Sequence, residues 1–161
     1  MEQDVVPHSQ PLSGLAVNGK TVNLSLPNAL TAINTSTTLI GGPTSDVATL
    51  YSSIPGSLSL GSDDPGFYMF CMWHFSSLPT SLIHLCQSAC NTNVTITMSF
   101  RGQDWPINPL YFNASQVNNG RNPLCLGAIF DISLGTGNST PTWVVGDTFL
   151  VYILSRLYRC P

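Results

Sequence analysis

Ala32-Ile33-Asn34-Thr35-Ser36-Thr37-Thr38-Leu39-Ile40-Gly41-Gly42-Pro43 is the stretch on which the reading of this 161-residue chain turns. It carries an apolar run, Leu30 to Ile33, into a turn of Asn, Ser and Thr, and then returns to apolar residues, two glycines and a proline. Such a pattern predicts a strand, a polar turn and a second short strand stopped by Pro43. Downstream, Thr44 or Ser45 is the expected helix cap with Asp46 in the first turn; Val47, Leu50, Tyr51 and Ile54 fall on one face before Pro55-Gly56. Upstream, Asn18-Gly19 between Leu15-Ala16-Val17 and Thr21-Val22-Asn23-Leu24 predicts a hairpin. Further on, Val94, Ile96, Met98 and Phe100 alternate with Thr95, Thr97 and Ser99, which is the pattern of a half-buried strand. Ser133 to Thr142 reads as a loop, and Trp143-Val144-Val145-Gly146 begins another strand. The expected fold class is all-β with one or two short helices, and no internal repeat is visible.

Composition narrows the functions. Only 8% of residues are charged, against roughly 25% in an average soluble domain, while 43% are hydrophobic and the net charge is -3. Five Lys+Arg residues provide no basic patch, which excludes nucleic acid and anionic membrane surfaces as partners. No apolar run reaches the ~20 residues of a membrane helix, and Met1 to Gln10 lacks the basic-then-apolar design of a signal peptide. Even so, Ser, Thr and Asn replace charge, and Asn-x-Ser/Thr acceptor patterns begin at Asn23, Asn34, Asn93, Asn113 and Asn138, as in secreted chains. A protein so poor in basic groups gains little positive charge when its carboxylates are protonated, so self-repulsion in acid stays small.

Three segments in order carry a resemblance. They are Ala32 to Pro43, then Cys125-Leu126-Gly127-Ala128-Ile129-Phe130-Asp131, then Trp143-Val144-Val145-Gly146-Asp147-Thr148-Phe149-Leu150. Together they resemble the C-terminal lobe of pepsin-like aspartic endopeptidases of the secreted fungal type. That resemblance implies a single lobe of the bilobal acid protease fold over residues 12–150. Residues 1–11 would form an extension, 71–89 an unmatched insert and 151–161 an aberrant tail. It also implies a psi-shaped loop at Asn34 to Thr38, a Cys90 to Cys125 disulfide and no cofactor.

In that family the turn holds a catalytic Asp, one of two carboxylates that share a proton, one from each lobe. Here the position is Asn34, whose amide is neither a general base nor a proton carrier. Ser36 replaces the motif's glycine and adds a Cβ where the family turn brings two backbones close. Thr35, Ser36 and Gly146 are the motif-supporting residues. Thr37, Ile129 and Ile132 are expected along the peptide groove. The family turn is buried where lobes meet, so a glycan on the sequon Asn34-Thr35-Ser36 would require the turn to be exposed. Asp131 and Asp147 lie outside the turn and read as structural acids. The implied activity is acid hydrolysis of peptide or protein substrates, for which an N-terminal lobe is needed, and the chain alone is expected to be inactive.

Residues Cys71 to Cys90 offer three thiols and two imidazoles, His74 and His84, but their spacing fits no standard zinc site, so no metal is expected. The stretch Cys71 to Ala89 is instead compatible with a translated intron, because Cys71-Met72-Trp73 can encode a splice donor and Ser88-Ala89 an acceptor; the tail from Val151 admits the same explanation. A surface loop with a divergent tail is the alternative. Three functional readings result: a fragment of an aspartic endopeptidase, a non-catalytic peptide-binding or inhibitory lobe, and a truncated or intron-retaining product without function.

Overall fold

The predicted hairpin is present in the computed structural model, which describes residues 9–62, 64–70, 94–119, 122–132 and 141–157. β1 (Ser9–Val17) pairs antiparallel with β2 (Lys20–Val22), with Leu15 opposite Val22 and Val17 opposite Lys20. Asn18 and Gly19 both take positive φ, at 50° and 77°, the geometry that a tight two-residue turn demands. The turn is also pinned from a distance: Asn18 exchanges a backbone bond with the Thr95 carbonyl at 2.8 Å, and its Oδ1 accepts from the Thr95 amide at 2.9 Å.

β3 (Ala29–Ile33), β4 (Ile40–Gly42), β7 (Ile96–Phe100), β8 (Gln103–Ile107), β11 (Ile129–Asp131) and β12 (Trp143–Val145) complete the larger sheet, in the order β11-β4-β12-β3-β1-β7-β8. β5 (Leu58–Ser59), β6 (Tyr68–Phe70), β9 (Asn113–Asn119) and β10 (Asn122–Gly127) form the second sheet, β5-β6-β10-β9. In β7 the expected alternation holds: Ile96 and Met98 are fully buried while Thr97 and Ser99 are partly exposed. The core joins Leu12, Leu15, Ile40, Leu50, Tyr51, Ile96, Met98, Ile129 and Trp143. Burying a side chain of this size stabilises by about 1.5–3 kcal/mol, so this cluster is the main favourable term holding the sheet together.

Three helices occur among the described residues, one more than the composition suggested: α1 (Thr44–Ser52), α2 (Pro109–Phe112) and α3 (Asp147–Leu157). α1 buries Val47, Leu50 and Tyr51 as its apolar spacing requires, but its N-cap is Pro43 and no side chain caps it. Neither Thr44 nor Ser45 fills that role. Asp46 is buried, and its Oδ1 accepts from the Ser25 amide at 2.8 Å, tying the helix start to the loop after β2. α2 follows the capping rule, with Pro109 in the first turn and the Asn108 side chain accepting from the Leu110 amide at 2.9 Å.

α3 follows β12 almost at once. The Gly146 carbonyl accepts from Phe149 and Leu150 at 3.0 and 3.1 Å, so the backbone coils directly after β12. Two boundaries drawn from sequence fall inside elements: residue 12 lies within β1, and the step between 150 and 151 lies within α3. The segment 71–89 lies outside the described residues, as do Cys90, His74 and His84. The architecture is all-β as expected, two sheets with short helices.

Candidate active site

Strands β3 and β4 run in opposite directions on either side of β12, which pairs parallel with β3 and antiparallel with β4. The chain thus leaves β3 at Ile33, makes the turn from Asn34 to Leu39, and re-enters as β4 with a strand from more than a hundred residues later lying between the two. This is the psi-shaped arrangement expected at Asn34 to Thr38. It closes through backbone bonds: the Asn34 amide donates to the Val145 carbonyl at 3.0 Å, and Asp147 donates to the Thr37 carbonyl at 2.8 Å. Thr148 donates twice to the Thr38 carbonyl, from its amide at 2.9 Å and from Oγ1 at 2.8 Å.

The glycines mark where this crossing is tight. A Cβ on Gly146 would collide with the Thr37 carbonyl oxygen and stand 2.7 Å from that of Leu39, both rigid backbone atoms. Gly41 and Gly42 are glycines for different neighbours: a Cβ on Gly41 would lie 2.5 Å from Ile132 Cδ1, and one on Gly42 2.5 Å from the Trp143 ring. The closest approach of backbone to these glycines is at Gly146. Ser36 itself is exposed and does not take a left-handed conformation.

The tip of the turn has a different character. Asn34, Thr35, Ser36 and Thr38 are exposed, and Thr37 is half-buried. Asn34 Oδ1 accepts from the Ser36 amide at 2.8 Å, and the Asn34 carbonyl accepts from Thr37 at 3.3 Å, so the turn is held by its own residues. Its preceding neighbour Ile33 is 37% exposed, an apolar side chain beside the polar tip. The turn is not buried by other parts of this chain among the described residues.

The remaining predicted residues separate by environment. Ile129 is fully buried in β11, opposite Ile40, and its carbonyl accepts from the Tyr51 hydroxyl at 2.7 Å, so its side chain is core rather than groove wall. Ile132 is half-buried over Gly41, and Phe130 stacks on Phe67 at 5.1 Å on the partly exposed side of the lobe. Asp131 lies in β11, and Asp147 opens α3 with an exposed side chain and its backbone amide on the Thr37 carbonyl. Cys125 is buried, while Cys90 lies outside the described residues.

Tyr51 is the residue the sequence reading placed only on a helix face. Its ring stacks on Tyr68 at 4.4 Å, and a Cβ on Gly127 would strike its hydroxyl, so one side chain joins α1, β6, β10 and β11. Burial raises its phenol far above the ordinary value, with the bond to Ile129 opposing and Tyr68 adding slightly; burial and then the Asp131 charge raise Tyr68. Among the described residues, no group of three or more His, Cys, Asp or Glu is arranged to hold a metal ion, and no helix is long and apolar enough to cross a membrane.

The sequence that makes this crossing has counterparts among known proteins. The family model described as eukaryotic aspartyl protease matches residues 5–157. The chain belongs to that family. An aspartic protease of Phaffia rhodozyma is 34% identical over 148 residues, covering 89% of this chain and 30% of the relative. The major aspartyl peptidase 1 of Cryptococcus neoformans var. grubii is 27% identical over 146 residues, covering 87% of this chain and 26% of the relative. This aspartyl protease chain thus spans less than a third of the length of these relatives.

Proposed function

We propose that this chain is the C-terminal type of aspartic endopeptidase lobe, with Asn34 at the position of the catalytic carboxylate, and that on its own it does not hydrolyse peptides. The observation that carries the reading is the place of Asn34: it is the first residue after β3, its amide is fixed to Val145, and it stands next to the crossing over Gly146. Hydrolysis by paired carboxylates needs one group to take a proton from water while the other gives one to the carbonyl. An amide does neither at any accessible pH. In an intact two-lobed protein this lobe would supply groove residues, Thr37 and Ile132 among them, and a second lobe would supply the remainder of the site.

The deciding experiment pairs the Asn34→Asp, Ser36→Gly variant with an N-terminal lobe from the family and assays peptide cleavage at acid pH. Pepstatin-sensitive cleavage by the variant pair, and none by the unsubstituted chain, is the expected result. Cleavage by the unsubstituted chain alone, blocked by pepstatin, would overturn the reading.

A second reading is favoured by the apolar residues beside the turn. Ile33 is exposed, and Phe67, Phe130 and Ile132 are only partly covered, which suits a non-catalytic lobe that holds an extended peptide. Saturable binding of an unrelated peptide or an intact peptidase by the folded chain distinguishes this from a product without function. The Cys90 to Cys125 bridge belongs to the same proposal, as do secretion and the origin of segment 71–89, which the mature transcript decides.

A further inference from the structure

Asn34 begins an Asn-x-Ser acceptor pattern, and the structure separates it from its neighbours in the sequence. Three such patterns fall on described residues: Asn23, Asn34 and Asn113. Asn23 and Asn34 are exposed, whereas Asn113 is half-buried and its amide oxygen is shut off from solvent. At Asn34 the whole pattern is exposed, since Thr35 and Ser36 are exposed as well. Its amide oxygen is occupied by the Ser36 amide, while its Nδ2, the atom that would be modified, makes no hydrogen bond among the described residues. A substituent there displaces no contact of the fold. Asn113, by contrast, stands in β9 opposite Gly127 of β10.

We infer that Asn34 is an acceptor of N-linked oligosaccharide, so that the tip of the psi turn carries a glycan. The co-reactant is a lipid-pyrophosphate-linked oligosaccharide: the bond from sugar C1 to the pyrophosphate oxygen breaks, a bond from C1 to Asn34 Nδ2 forms, and one amide proton leaves with the lipid pyrophosphate. A bulky polar group at this point stands over Ile33 and the crossing, where the fold of this chain leaves open surface. The modification itself rests only on the exposed turn.

The full chain is expressed behind a cleavable secretory leader in a eukaryotic host, with an added C-terminal acceptor sequence as a marker of passage, and only marker-glycosylated molecules are kept. Treatment of the folded protein with peptide N-glycosidase in heavy-oxygen water converts each occupied Asn to a labelled Asp, read by peptide mass spectrometry. Label at Asn34 in more than half of the molecules, and at Asn23 but not Asn113, is expected. Ser36→Ala, which leaves the backbone bond to Asn34 Oδ1 in place, should abolish label at Asn34 alone. Marker-positive molecules with a bare Asn34 would overturn the inference, and so would release at Asn34 only after denaturation. Neither outcome depends on whether Asn34→Asp restores cleavage.

Discussion

The two ends of the psi turn obey different constraints. Its base, where Thr37 and Thr38 lie against Gly146, Asp147 and Thr148, is a set of backbone contacts with no room for one more carbon. Its tip, Asn34 to Ser36, is exposed and held by bonds among its own residues. The base fixes the shape of the site and the tip fixes its chemistry. A substitution at the tip is therefore expected to leave the backbone path of the lobe in place.

The contrast breaks if the base tolerates change or the tip does not. Gly146→Ala should have the largest effect, a loss of at least about 3 kcal/mol or failure to fold, because the obstructing atoms are backbone; urea unfolding followed by tryptophan fluorescence measures it. Alkaline pH comes next. The raised phenol of Tyr51 stays protonated in the folded chain while the unfolded chain loses that proton near the ordinary value of 10.0. The unfolded state then binds fewer protons, so its contribution is complete below that pH and declines above it, by about 1.4 kcal/mol per pH unit. In Tyr51→Phe this part of the slope should vanish, which denaturation curves at successive alkaline pH values would reveal.

Thr148→Val, which removes one bond to the Thr38 carbonyl from a buried side chain, should cost about 1 kcal/mol. At the tip, Asn34→Asp should change the unfolding free energy by less than about 0.5 kcal/mol at neutral pH, since an exposed group that still accepts from Ser36 gains or loses little. If Asn34→Asp proved as damaging as Thr148→Val, the separation of shape from chemistry would fail.

What could be read from sequence follows the same division between local and distant causes. Asn18-Gly19 announces its hairpin because the demand for positive φ is met by the residues themselves, and the alternation from Val94 to Phe100 is equally local. Gly146 was legible as part of a pattern, but the reason for it, the Thr37 carbonyl, is supplied by residues far away in the chain. Where distant partners alone decide, the residues gave no sign. Pro43 takes the cap position with Thr44 and Ser45 beside it, and Asp147 to Leu157 coils although Val151 and Ile153 suit a strand, because the Gly146 carbonyl collects the first helical amides. Burial of Ile129 and exposure of the turn are likewise properties of what packs against each residue.

The place of β12 also sets the order in which the lobe can be made. β3 and β4 leave a ribosome well before β12, yet they do not pair with one another; the strand that joins them is Trp143–Val145. The bonds from Thr148 to Thr38 connect residues 110 positions apart. At synthesis rates of roughly 5–20 residues per second, the two strands wait about 5–20 s with their facing edges unsatisfied. During that interval the half-made sheet can be completed by any other extended chain, and a nascent lobe of this design depends on being shielded until its own last strand arrives.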